Sequence, residues 1–220
     1  MGRIKKLNTK VLVSALVISG ILFAAGFTVG YAVNRERLTA VETEMSGVVR
    51  SVQNFQLQFL FLDVLGQNAS CPILISTLSD INGQSYEIGS KLTSYGSDSE
   101  AMDYETYMRV KKEYSRLLTG YWLLATKLRG ACSMNSSTIV YFYNKECARC
   151  DDQGFILSYL KRKYGDEVLI FALDSDLPEP SVDAIKQHFS ITEYPTLIIN
   201  GEVYRGFYSE EELRAILNLA

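Results

Sequence analysis

The sequence predicts an α/β C-terminal domain preceded by a transmembrane helix and an α-helical bundle or coiled-coil stalk. Three observations lead to this prediction. An uncharged apolar run lies near the N-terminus, apolar residues recur at helical spacing through the middle, and short β-branched and aromatic runs follow residue 138. The chain has 220 residues and a net charge of −3, which argues against nucleic acid as a partner.

The first element is the segment from Val11 to Val33, which contains no charged residue. A bilayer core needs about 20 residues of helix, so this segment is long enough to act as an uncleaved signal anchor. The alternative is a cleaved signal peptide, whose apolar region is usually only about 7–15 residues long. Basic residues are more numerous before the segment than just after it. We therefore expect a single-pass protein of the cell membrane, with residues 1–10 cytoplasmic and the remainder extracytoplasmic.

Residues 36–130 carry apolar side chains in alternating steps of three and four, which is typical of a helical seam. Gly66 to Ser70 interrupts the first seam, and Pro72 restarts a helix as a first-turn residue. A third seam begins at Tyr107. Short connections make consecutive helices antiparallel, so we predict a three-helix antiparallel bundle that holds the next domain on a stalk about 45 Å long. The helices would also allow a homodimer.

The C-terminal domain, residues 138–220, alternates apolar runs with helical patterns. Asn200-Gly201 predicts a tight hairpin turn, and Ser209 with Glu212 predicts a capped last helix. The predicted elements are a strand at 138–143, a helix closed by residue 165, a strand at 168–173, a helix at 182–189, strands at 196–199 and 202–205, and a helix ending at 219. Their order is β-α-β-α-β-β-α.

Cys147 and Cys150 lie at the first strand-to-helix corner, where two thiols at this spacing can form and break a disulfide. A helix N-terminus and the positive charge of Arg149 both favour a thiolate. We expect Cys147 to cap the helix and act as the nucleophile, and Cys150, one turn inside it, to act as the resolving thiol. A zinc site is the alternative, but His188 is the only histidine in the chain, so no metal is expected.

These features together resemble the thioredoxin superfamily over residues 138–220. The resemblance rests on the strand Ile139–Tyr143, the dithiol, the segment Phe189–Glu202 and the closing helix. It implies that Pro195 is cis and faces the dithiol. It also implies that Tyr194, Pro195 and Thr196 form the substrate face, where the backbone of Tyr194 can pair with an extended substrate segment.

The sequence departs from the pattern of thioredoxins at three places. Ala148-Arg149 replaces the common Gly-Pro between the cysteines, and Glu146 replaces a tryptophan. Tyr141 stands where thioredoxins carry a buried aspartate that helps move protons. These departures bear on the direction of the redox reaction, which the sequence leaves open.

The resulting hypothesis is a membrane-anchored thiol-disulfide oxidoreductase without a cofactor. Its partners would be protein thiols or disulfides and an unidentified membrane protein that recharges the dithiol. The main alternative is an interaction module, in which the helical part binds a partner and the dithiol is a structural disulfide or a redox switch. A weaker alternative is a dimeric coiled-coil scaffold.

The other two cysteines flank the second and third predicted helices. Cys71 lies just before the second helix and Cys132 just after the third, and these ends are neighbours in an antiparallel hairpin. We predict a structural Cys71–Cys132 disulfide at the end that carries the redox head. In the chain-entropy model it would stabilise the bundle by on the order of 4 kcal/mol. The competing interpretation is a second redox pair that relays electrons to Cys147.

Overall fold

The computed structural model describes residues 9–59, 64, 67–97 and 104–219. Three long helices come first: α1 (Thr9–Phe59), α2 (Gln67–Ser97) and α3 (Tyr104–Cys132). Most of the expected cytoplasmic segment, residues 1–10, lies outside the described residues. The connections between the three helices are likewise undescribed, apart from residue 64.

Helix α1 joins the apolar segment and the first bundle helix into one continuous element. Its stretch Leu12–Ala32 is long and apolar enough to cross a membrane, and every residue of that stretch is exposed. Met45 is the first buried side chain among those described in α1. The part of α1 that follows the apolar stretch therefore packs into the bundle, whereas the apolar stretch itself contacts nothing.

Helices α2 and α3 pack against each other in antiparallel fashion. The hydroxyl of Tyr114 donates to the carbonyl of Ser85 at 2.8 Å, and the hydroxyl of Tyr121 donates to the carbonyl of Leu78 at 3.1 Å. Helix α2 begins before Pro72, which lies in its second turn instead of the expected first turn. A proline there removes only one helical hydrogen bond, so the helix tolerates it near its start.

The rest of the chain forms an α/β domain, which confirms the predicted fold class. Its four-stranded sheet has the order β2-β1-β3-β4, with β1 and β2 parallel and the other neighbouring pairs antiparallel. The elements are β1 (Ser137–Tyr143), α4 (Cys150–Tyr164), a short 3-10 helix (Gly165–Glu167), β2 (Val168–Asp174), α5 (Pro180–His188), β3 (Thr196–Ile199), β4 (Glu202–Arg205) and α6 (Glu210–Leu217).

Alternation along the strands gives the sheet two buried faces. Ile139 and Tyr141 of β1 point to the face that α4 and α6 cover. Val140 and Phe142 point to the opposite face, which belongs to the same core as α5 and the three-helix bundle. Both faces are apolar because each is covered by helices, as is usual where a sheet contains parallel strands.

Helix α3 covers one sheet face directly, so the expected stalk needs correction. The ring of Tyr121 packs edge-on against Phe171 of β2 at 5.0 Å between centroids, and Trp122 packs against Phe189 at 6.2 Å. The α/β domain therefore lies beside the bundle and not at its tip. The physical reason is that α5 alone leaves part of this apolar face uncovered, and the apolar side of α3 buries it.

Charged and polar side chains fix the position of this contact. Lys111 and Arg116 of α3 pair with Asp174 and Glu179, and both carboxylates are almost fully buried. Truncating one partner of a buried pair leaves a charge without compensation, which costs about 3–5 kcal/mol. These pairs therefore penalise any shift of the α/β domain along α3.

A second polar contact joins α2 to the loop before β2. Ser79 and Asn82 donate to the carboxylate of Asp166. Burial alone would raise the pKa of Asp166, but these hydrogen bonds and the charge of Lys161 hold it below its usual value. The α/β domain is thus tied to two of the three long helices.

Two glycines of α2 provide a test of the α2–α3 packing. A methyl group at Gly89 would collide with the hydroxyl of Tyr114, whereas one at Gly83 would meet nothing within 4 Å. Overpacking costs about 1–3 kcal/mol, which outweighs the gain of up to about 1 kcal/mol from replacing a helical glycine. We expect Gly89→Ala to lower the free energy of unfolding and Gly83→Ala to raise it, measured by urea denaturation of the full chain in detergent. Equal stability of the two variants would contradict the described packing.

Candidate active site

The candidate site lies at the carboxyl edge of the sheet, where β1 and β2 end side by side. The N–H of Ser175 donates to the carbonyl of Tyr143 at 2.8 Å, and the N–H of Lys145 donates to the carboxylate of Asp176 at 2.9 Å. These bonds join the loop after β1 to the loop after β2. The turn that carries the two cysteines therefore begins from a fixed position.

Cys147 and Cys150 form a disulfide across this turn, with their Cα atoms 5.4 Å apart. Cys150 is only 4% exposed, whereas Cys147 is half-buried. The expected capping role of Cys147 is wrong, because Arg149 occupies the N-cap position and Cys150 is the first residue of α4. Cys147 lies in the preceding turn, where its carbonyl accepts from the N–H of Cys150 at 3.4 Å.

The peptide bond between Tyr194 and Pro195 is cis, as the family resemblance implies. Tyr194 and Cys147 both pack against the buried cluster that contains Cys150. The side chain of Thr196 was expected to contact substrate, but it is not accessible to do so. It is 0% exposed, and its hydroxyl donates to the carbonyl of Glu193 at 2.7 Å, so its side chain anchors the start of β3.

A third segment of the site, residues 206–208, was missed by the sequence analysis. The N–H of Gly206 donates to the carbonyl of Pro195, and the N–H of Tyr208 donates to the side-chain oxygen of the fully buried Gln153, each at 2.8 Å. Phe207 is held between these two anchors. A glycine directly after a strand, here with φ of +87°, was the available signal for a loop that turns back to the site.

Arg149 is oriented toward this loop. Its guanidinium stacks on the ring of Phe207 at 3.8 Å, and its Nε donates to the carboxylate of Asp152 at 2.9 Å. The expectation that Arg149 adds a full positive charge beside the dithiol needs correction, because Asp152 balances much of that charge. The N-terminus of α4 adds a partial positive charge near Cys147.

Tyr141 lies beneath the dithiol, on the face of the sheet that α4 covers. Its hydroxyl donates to the carbonyl of Cys150 at 2.6 Å. Burial, and to a lesser degree the charge of Asp151, raises the pKa of Tyr141 above its ordinary value. The hydroxyl stays protonated at neutral pH, so Tyr141 holds the start of α4 in place and does not act as a base.

Cys71 and Cys132 form the second disulfide, with their Cα atoms 5.6 Å apart. Cys132 ends α3 shortly before β1 begins, whereas the dithiol follows the other end of β1. The strand has seven residues, so it is about 23 Å long. This separation argues against the competing interpretation, in which the second pair relays electrons to Cys147 within one molecule.

Within the described residues, no group of three or more His, Cys, Asp or Glu side chains could hold a metal ion. His188 is exposed at the end of α5. Its ring packs edge-on against Phe189 at 4.7 Å between centroids.

A family model described as "TraF: F plasmid transfer operon protein" matches residues 133–213. The match begins directly after α3, so it covers the α/β domain and none of the three long helices. The C-terminal domain has the thioredoxin-like fold that the resemblance implies. No curated protein matches the chain.

Two solved structures are similar to the thioredoxin-like domain, each with 24% sequence identity. One is described as a malarial protein, and the similarity covers 38% of this chain and 96% of that chain with a TM-score of 0.34. The other is thioredoxin-2, described as a component of the malaria parasite protein secretion machinery. There the similarity covers 41% of this chain and 89% of that chain, with a TM-score of 0.35.

Removing the hydroxyl of Tyr141 tests its hydrogen bond to the carbonyl of Cys150. Tyr141→Phe removes the donor to the carbonyl of Cys150, and a buried hydrogen bond contributes about 1 kcal/mol to stability. Tyr159→Phe is the matched control, because Tyr159 lies on the exposed side of α4. We expect urea denaturation to show a loss of about 1 kcal/mol for Tyr141→Phe and less than about 0.5 kcal/mol for the control. Equal losses would mean that the Tyr141 hydroxyl does not hold the start of α4.

Proposed function

We propose that this chain is a membrane-anchored, extracytoplasmic thiol-disulfide oxidoreductase that acts on protein thiols and disulfides. The observation that carries the proposal is the unequal exposure of the two sulfur-bearing residues. Cys147 is half-buried and reachable, whereas Cys150 is almost fully buried at the start of α4. Unequal access assigns the attacking and resolving roles to different cysteines.

The reaction from the oxidised state begins when a substrate thiolate attacks Sγ of Cys147. The Cys147–Cys150 bond breaks, Cys150 leaves as a thiolate, and a mixed disulfide forms between Cys147 and the substrate. A second substrate thiolate then attacks the substrate sulfur of that mixed disulfide and releases Cys147 as a thiolate. The substrate loses two electrons to the cysteine pair, and its two thiol protons go to solvent or to the new thiolates.

The reverse reaction reduces a substrate disulfide through the same intermediate. The thiolate of Cys147 attacks the substrate, and Cys150 then attacks Sγ of Cys147 and releases the second substrate thiol. The N-terminus of α4 favours the thiolate of Cys147, whereas Asp151 and Asp152 in the first turn oppose it. Cys147 forms the mixed disulfide in both directions, because it is the more exposed of the two cysteines.

The substrate segment would lie along Tyr194 and Pro195. Its backbone would extend beside Tyr194 by strand addition, with the loop at Phe207 as a neighbour. The bond from Gly206 to the carbonyl of Pro195 and the bond from Tyr208 to Gln153 support this role, because they fix both segments relative to α4. Preorganised contacts cost less entropy when a flexible substrate binds.

Two features support the proposed cellular location: the apolar stretch of α1 and the second disulfide. A helix of this length and composition suits a membrane anchor. Disulfides persist in extracytoplasmic compartments, where a Cys71–Cys132 bond remains intact. The proposal therefore assigns the bundle and the thioredoxin-like domain to the same side of the membrane.

Trapping of reaction intermediates tests the proposed function. In Cys150→Ser the mixed disulfide on Cys147 cannot be resolved, so covalent complexes with extracytoplasmic proteins should accumulate severalfold over wild type. They should be visible as high-mass bands that disappear on reduction, in membranes from cells that express the full chain. Cys147→Ser is the control, since it keeps a single cysteine in the turn but removes the reachable one. If Cys150→Ser traps no more than Cys147→Ser, the dithiol is not catalytic and the interaction-module hypothesis replaces it.

A further inference from the structure

We propose that the dithiol faces the membrane and exchanges disulfides with cysteines in surface loops of membrane-embedded proteins. This inference rests on the proposed anchor and exchange function, and it adds the orientation of the site and the class of its partner. Three features carry it: the direction of α3, the level at which α3 begins, and the direction of the strands.

Helix α3 begins near the membrane and ends far from it. The apolar stretch lies in the first part of α1, so Phe59 is the distal end of that helix. Only seven residues separate Phe59 from Gln67, so α2 begins near this distal end. The disulfide between Cys71 and Cys132 then brings the end of α3 to the same place. Tyr104, at the other end of α3, is consequently the end nearest the membrane.

The length of α3 places its start at the level of the membrane surface. Helix α3 has 29 residues, which span about 43 Å. The same length counted back from Phe59 along α1 reaches Tyr31, at the end of the apolar stretch Leu12–Ala32. With Phe59 taken as level with Cys132, Tyr104 is level with the end of the apolar stretch of α1.

The strands β1 and β2 run back toward the membrane. Lys111 pairs with Asp174 at the carboxyl end of β2, and Lys111 lies only about 10 Å along α3 from Tyr104. Asp166, before the amino end of β2, is bonded by Asn82 of α2. The two tyrosine bonds between α2 and α3 put Asn82 level with about residue 117 of α3. The carboxyl edge of the sheet is therefore the edge nearer the bilayer.

The Cys147–Cys150 pair lies at the carboxyl edge of the sheet. The turn of Cys147 and Cys150 follows Tyr143, whose register partner in β2 is Asp174. The site thus lies on the order of 10 Å from the level where α1 leaves the apolar stretch, whereas Cys132 lies about 40 Å away from that level. A gap of this size is too narrow for a folded domain of roughly 34 Å diameter, but it admits a loop.

The surface around the dithiol suits a protein loop better than lipid. Lys145, Glu146 and Ala148 are all exposed, and the two charged side chains would oppose insertion into an apolar layer. The exchange itself transfers two electrons. The Cys147–Cys150 disulfide becomes a dithiol while a cysteine pair of the membrane protein becomes a disulfide, or the same exchange runs in reverse.

Depth measurement tests the orientation without requiring exchange activity. A fluorophore is attached to Cys147 in Cys150→Ser, and to Glu167→Cys in a chain that also carries Cys147→Ser and Cys150→Ser. Glu167 is exposed at the amino end of β2 and is the matched control. The full chain is reconstituted in phosphatidylcholine vesicles that contain a headgroup-attached quencher. We expect at least twofold stronger quenching at Cys147 than at Glu167→Cys. Equal or weaker quenching at Cys147 overturns the proposed orientation.

A spacer in α1 tests the partner class. Duplicating residues 36–42 adds two helical turns between the apolar stretch and Met45, which raises the site by about 10 Å and nearly preserves the face of the helix. In the Cys150→Ser background, covalent complexes with integral membrane proteins should fall severalfold, while the rate of Cys147 with a small aromatic disulfide stays unchanged. An unchanged yield of complexes with integral membrane proteins overturns this inference but leaves the proposed function intact. Failure of the unmodified chain to float with vesicles contradicts the anchor in the proposed function and this inference with it.

Discussion

Helix α3 packs Tyr121 and Trp122 against Phe171 and Phe189, and this contact covers a sheet face that α5 leaves partly open. Burial of a large apolar side chain contributes about 1.5–3 kcal/mol, so a few such residues amount to much of the stability of a small domain. The thioredoxin-like domain therefore depends on the bundle for part of its core.

Polar contacts fix the position of α3 on the apolar face of the sheet. The apolar surfaces of α3 and β2 could slide past each other at modest cost, but the buried carboxylates of Asp174 and Glu179 must stay beside Lys111 and Arg116. Asp166 adds a constraint from α2. At the opposite end of the bundle, the Cys71–Cys132 disulfide joins α2 to α3. The dithiol is thus presented by a frame in which each helix is held at more than one point.

Local signals in the sequence predicted most elements of this structure. Continuous runs of β-branched and aromatic residues identify β1 and β3, because both faces of the sheet are buried. The Asn200-Gly201 turn and the Ser209–Glu212 capping box depend only on neighbouring residues. The contacts of α3 with the sheet were not predictable in this way. An apolar stripe indicates that a helix face is buried but does not identify what buries it. The stacking of Arg149 on Phe207 and the anchoring role of Thr196 depend likewise on residues distant in sequence or on backbone placement.

The two disulfides of one chain provide a direct comparison between catalytic and structural bonds. The full chain is equilibrated in detergent with glutathione buffers of graded potential, and the oxidation state of each cysteine is then mapped by mass spectrometry. If Cys147–Cys150 is the exchange site, it should reduce reversibly with a measurable midpoint while Cys71–Cys132 stays oxidised in the same molecules. A Cys147–Cys150 bond that resists glutathione as strongly as Cys71–Cys132 does would contradict the proposed oxidoreductase function.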